Sequence, residues 1–137
     1  MDRVFLDANV LFSAAYKPGS VLTDLWTFAD TELLSCPFAI QEAHRNLSNA
    51  RPARLPDLTA LLSSILIIPD PLPGAVLPPS VQLPEKDKPI LLAAIDGQAT
   101  HLLTGDVKHF GPYFGQTIAG VTILRPTVYL QNRQSRP

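Results

Sequence analysis

From residue 3 to about residue 131 the chain alternates short apolar runs with stretches of helical periodicity. That alternation limits the fold more than any other feature. The apolar runs are Val4–Leu6, "ELLSC" from residue 32, "ILIIP" from residue 65, "HLLT" from residue 101 and "VTIL" from residue 121. Runs this short, bounded by turn residues, read as strands, and the first, near the N-terminus, as a buried one. The segments between them read as helices. Asn9 is placed to cap a helix over Val10–Tyr16, which stops at Lys17-Pro18-Gly19. Ser20 caps "VLTDLWTFAD", and Pro37 sits in the first turn of "PFAIQEAHRNLSNA". "LPDLTALLSS", "KDKPILLAAIDGQA" and "PTVYLQNR" complete the helices, with "DVKHFGPYF" a short helix or turn. Strands separated by helices predict an α/β domain with a mainly parallel sheet. In such sheets ligands bind beyond the carboxyl ends of the strands.

Between residues 69 and 89 stand seven of the chain's fourteen prolines. Too little chain lies on either side for two good domains, so this segment reads as a long extended connection across the surface. One domain over residues 1–132 and a frayed tail over 133–137 are expected. The 137 residues, 46% hydrophobic and 17% charged, suffice for a real core. A net charge of −1 gives no overall basic field, though a local basic rim can still attract nucleic acid. The single cysteine, Cys36, excludes an internal disulfide and suits a reducing compartment. No leader peptide is recognisable, and the longest apolar stretch, Leu61 to Ile68, is broken by Ser63 and Ser64 and too short to span a bilayer. A cytoplasmic location is expected.

Three acids stand at element ends. Asp7 follows Val4-Phe5-Leu6 directly, where a buried carboxylate is costly unless something pairs with it. Asp106 follows Leu102-Leu103-Thr104-Gly105 in the same way, and Gly105 permits a sharp exit and a close approach. Asp87 lies in the first turn of a nearly all-apolar helix. A fourth acid, Glu42, sits mid-helix one turn after Phe38 and Ala39, on the border of the packed side. Each has a local explanation: capping for Asp7 and Asp87, an Asx-turn for Asp106, a pair with Arg45 for Glu42. The two strand-end acids and the helix-start acid would converge on one edge of the sheet and, unpaired, repel. A divalent cation with oxygen preference resolves that, and Mg²⁺ or Mn²⁺ is commonly held by a few carboxylates plus substrate phosphate.

With these residues in view, the chain resembles the PIN-domain ribonucleases, the fold of the toxin nucleases in many bacterial toxin–antitoxin pairs. The likeness rests on "FLDANVLFSA", "PFAIQEAHRNL" and "EKDKPILLAAIDGQATHLLTGDVKHF", in that order and spacing. It implies a five-stranded parallel sheet flanked by helices, frequent homodimers and, in many members, an antitoxin partner. The family's metal-binding acids fall on Asp7, Glu42, Asp87 and Asp106, and its frequent hydroxyl residue on Thr104. Where some members carry a further acid, this chain has Lys108 and His109.

The chemistry expected is hydrolysis of RNA phosphodiester bonds with one or two Mg²⁺ or Mn²⁺ ions. Asp7, Asp87 and Asp106 are the expected direct ligands. Glu42 is a ligand, a residue that orients water, or the group that activates the nucleophile. Thr104 supports an acid or a water, and Asn9 either caps its helix or orients Asp7. A basic rim of Lys86, Lys88, Lys108, His109, His44, Arg45, Arg51 and Arg54 would meet the RNA backbone. His109 is not expected to ligate metal, since hard cations prefer oxygen. Trp26, Phe28, Tyr113 and Phe114 could stack on bases, but are expected in the core or against a partner. Two other readings compete. A phosphatase with Asp7 as nucleophile wants a second aspartate at position 9, where this chain has asparagine. A non-catalytic α/β binding module would use the acids only as caps.

Overall fold

In the computed structural model, which describes residues 1–136, every segment predicted as a strand is one. β1 (Asp2–Leu6) lies in the middle of the sheet, and its Val4, Phe5 and Leu6 are completely buried. β2 (Thr31–Ser35) and β4 (His101–Leu103) flank it, both parallel, with Phe5 opposite Leu34 and Leu6 opposite Leu103. β3 (Leu66–Ile67) extends the sheet beyond β2, and β6 (Val121–Leu124) pairs in parallel with β4. The five predicted strands are therefore all parallel; the continuous apolar runs suit a sheet covered on both faces at its centre, while the two residues of β3 are exposed.

A sixth strand was not expected. β5 (Thr117–Ile118) folds back antiparallel on β6 through Ala119 and Gly120, giving the order β3-β2-β1-β4-β6-β5. Both turn residues have positive φ, 49° and 88°, as the favoured two-residue hairpin turn requires. Alanine is a poor signal for that geometry.

Of the helices, α1 (Ala8–Tyr16) starts directly after Asp7, which is its N-cap. This corrects the expectation that Asn9 caps it. α2 (Pro37–Ala50) buries Ala39, Ala43 and Leu47, one stripe at four-residue spacing, with Glu42 half-buried beside it. Ser20 does cap the next segment, but Val21–Thr27 is a 3₁₀ helix. α3 (Leu55–Leu62), α4 (Lys88–Asp96), α5 (Val107–Phe110) and α6 (Pro126–Gln134) follow.

The proline-rich connection before α4 is not wholly superficial: Leu77, Val81 and Leu83 are buried in the core. The expected start of a tail at 133 falls inside α6. Arg133 there contacts Asp30, Thr31 and Tyr129, and Arg136 pairs with Asp2 at 3.0 Å. Trp26, Phe28, Tyr113 and Phe114 all pack against the core, as expected. Among the described residues no helix is long and apolar enough to cross a membrane.

Candidate active site

The pairing of Leu6 with Leu103 carries β1 and β4 to a common end, so Asp7 and Thr104 emerge side by side. The Asp7 backbone N–H donates to the Leu103 carbonyl at 3.1 Å. Asp7 is only 5% exposed. Oδ1 accepts from the Ala8 N–H at 2.7 Å, and Oδ2 accepts from the Thr104 hydroxyl at 2.8 Å and the Asn9 amide at 3.2 Å. Among the described residues no basic side chain pairs with it or donates to it. Burial pushes its pKa up to about 6, with Glu42 and Asp87 adding repulsion against the opposing bonds from Thr104 and Ala8.

Asn9 ties the two strand ends together. Its amide nitrogen reaches Asp7 and, at 3.2 Å, the Thr104 hydroxyl; its Oδ1 accepts from the Gly105 N–H at 2.8 Å. A Cβ on Gly105 would stand 3.3 Å from that Oδ1, so glycine here admits a close side chain, not another backbone. Of the two roles expected for Asn9, orienting Asp7 is the one its contacts fit.

The second pair of acids converges on a histidine. Asp106 caps α5, accepting from the His109 N–H at 3.1 Å, and its own N–H donates to Thr104 Oγ1 at 3.1 Å. Asp87 stands at the N-cap of α4 without making a side-chain cap bond, which removes its local explanation. His109 Nδ1 lies 2.9 Å from Asp106 Oδ2 and 3.0 Å from Asp87 Oδ2. Its aligned hydrogen bond goes to Asp106. Asp87 Oδ2 is left buried with no aligned donor. Burial raises the Asp87 pKa and Asp106 raises it further, against the pull of His109 and Lys86. Glu42 opens onto a cavity of about 350 Å³ shared with Asn9, Phe12, Asn46, Asn49 and Ala50. It makes no ion pair with Arg45, since the ion pairs among the described residues lie elsewhere.

The expected basic rim is only partly available. Lys86, Lys108, His44 and Arg45 are exposed. Lys88 is tied to Glu85 at 2.5 Å, Arg54 to Asp57 at 3.0 Å, and Arg51 lies over the Tyr16 ring. His109 is drawn into the acid cluster and does not stand on the rim. The three-residue spacing of Asp106 and His109 was the available signal for that.

One oxygen each from Asp87 and Asp106 and the His109 nitrogen lie within 4.8 Å of one another. With an orphaned buried oxygen among them, these residues fit a small divalent cation.

This mostly parallel sheet, with acids at its carboxyl edge, has counterparts among known proteins. Residues 3–108 match the family model of the PIN domain, and the chain belongs to that family. The fold is similar to a chain of VapBC2 from Rickettsia felis, solved bound to a DNA fragment from their promoter. The TM-score is 0.63 at 18% identity, covering 90% of this chain and 98% of that one. No curated protein matches in sequence.

Proposed function

We propose that this chain is a metal-dependent endoribonuclease and the toxin of a toxin–antitoxin pair. The observation that carries the reading is Asp7: a buried strand-end carboxylate facing other acids, held by neutral donors and by no basic side chain. Such a carboxylate is poised for a cation that arrives from solution. A bound Mg²⁺ or Mn²⁺, one ion or two, supplies a strong water nucleophile at neutral pH and neutralises charge on the phosphodiester.

The chain's own residues do the rest. Asp7, Asp87 and Asp106 hold the cation. Glu42, beside the cavity, orients or deprotonates the attacking water. Thr104 and Asn9 fix the Asp7 carboxylate so that its oxygens do not rotate away. Lys108 and Lys86, with Arg45 farther out on α2, receive the RNA backbone. Lys88 joins them only by leaving Glu85.

The antitoxin partner is suggested by the fold's likeness to a chain of VapBC2. Homodimerisation and a cytoplasmic location, with the buried Cys36 thiol reduced, belong to the same proposal. The phosphatase reading is weaker, because Asn9 stands where its second aspartate is needed and is committed to Gly105 and Thr104.

The test is cleavage of labelled single-stranded RNA with Mg²⁺ or Mn²⁺, against EDTA and against Asp7→Asn. Cleavage that needs metal and is lost in the variant is expected. A folded protein inert under all conditions, with no rise in melting temperature on adding metal, would leave the binding-module reading in its place.

A further inference from the structure

His109 is held in an unusual setting for a surface histidine. Its N–H closes a turn onto Asp106 Oδ1, so the ring and the Asp106 carboxylate leave α5 side by side. Its Nδ1 is then within 3.0 Å of one oxygen from each of two aspartates. A single N–H can be directed at only one of them, and the other, Asp87 Oδ2, stays buried and undonated. No lysine supplies that oxygen: Lys86 is exposed and Lys88 is engaged by Glu85.

The arrangement therefore satisfies one acid and leaves the other wanting a cation. Neighbouring ligands of an octahedral ion, each about 2.1 Å from it, stand about 3 Å apart. That is the spacing of both nitrogen–oxygen pairs here, 2.9 and 3.0 Å.

We propose that His109 is itself a metal ligand through Nδ1, completing a set with Asp87 and Asp106, and that this nitrogen turns the site toward first-row transition-metal ions over Mg²⁺. The expectation that His109 stands on the rim and contacts substrate is thereby replaced. With an ion bound, Nδ1 would offer its lone pair and the ring proton would sit on Nε2. Imidazole suits transition ions, whereas Mg²⁺ favours oxygen and retains its water. The inference rests on the metal-dependent reading above, and it specifies which metal.

The test uses Mn²⁺ itself as the probe and needs no RNA. Pulsed electron paramagnetic resonance of Mn²⁺ added to the metal-free protein should show modulation from one directly bound imidazole nitrogen. The modulation should vanish in His109→Asp, which still binds Mn²⁺, and persist in His44→Gln. Parallel calorimetric titrations should give Mn²⁺ a Kd at least about tenfold tighter than Mg²⁺ in the natural chain, with the ratio shrinking in His109→Asp. Bound Mn²⁺ without nitrogen modulation, or modulation that survives in His109→Asp, overturns the ligand assignment and leaves the nuclease reading standing. No Mn²⁺ binding at all overturns both.

Discussion

Asp2 and Asp7 bracket the same strand, and the molecule treats them in opposite ways. At the amino end, Asp2 accepts from the Tyr129 hydroxyl at 2.6 Å and pairs with Arg136 at 3.0 Å, with Arg133 nearby at 3.7 Å. Arg3 and Glu32 pair alongside at 2.7 Å. Burial raises the Asp2 pKa, but the bonds from Tyr129 and Arg136 more than offset it and the net shift is downward. At the carboxyl end, Asp7 has only neutral donors and acidic neighbours, and its pKa rises to about 6. Both lose solvent, Asp2 in part and Asp7 almost wholly. The partner decides whether an acid withdrawn from water becomes part of the scaffold or is held ready for a ligand.

The largest effect that would sharpen this contrast is on turnover. Asp7→Asn should lower metal-dependent RNA cleavage by at least about 10²-fold, the order expected when several kcal/mol of transition-state stabilisation are lost. Its melting temperature without metal should be unchanged or higher, because a repelled carboxylate has been removed. A large loss of stability instead would place Asp7 with the scaffold acids.

Next in size is the pH dependence of the metal-free protein. The folded-state pKa of Asp7 is raised from 3.8 to about 6, so its contribution to stability is complete below about pH 4. It is lost as pH climbs through 6, by roughly 2–3 kcal/mol. Asp2, shifted downward, works the other way and loses its contribution in acid. Denaturant titrations from pH 4 to 8 should show the Asp7 decline in the natural chain and not in Asp7→Asn. Saturating Mn²⁺ at pH 7 should reverse it.

Thr104→Val should follow. It removes a bond that holds the Asp7 pKa down, so the pH profile of cleavage should move to higher pH. Stability should fall by about 1–2 kcal/mol as Asp106 N–H also loses its acceptor. Smallest is Arg133→Gln at the opposite end. It should lower stability by roughly 1 kcal/mol, discounted because its Asp30 partner is exposed, and leave cleavage unchanged. A change in cleavage would break the separation between the two ends.

Much of this is legible in the sequence, because it has local causes. Uninterrupted apolar runs mark strands covered on both faces, and an acid directly after such a run marks a strand end. What escaped depends on contacts far along the chain. Asn9 has the chemistry of a cap, yet its partners are Thr104 and Gly105, and Asp7 takes the cap because α1 begins as soon as β1 stops. β5 hid behind Ala119, a residue that rarely accepts positive φ. Leu77, Val81 and Leu83 bury without any periodicity among the prolines. For His109 the spacing from Asp106 was visible in the sequence, but its approach to Asp87, twenty-two positions earlier, was not.

The Asn9 tie also has a consequence in time. It joins residues 95 and 96 positions apart, and the Asp7–Thr104 bond spans 97. A growing chain holds Asp7 from the start, but it cannot assemble the acid cluster until β4 and the turn to Asp106 have been made and docked against β1. A slip of one residue in that pairing would send Thr104 to the wrong face. The cluster thus comes into being late and all at once, as a report that the last third of the chain has arrived in register.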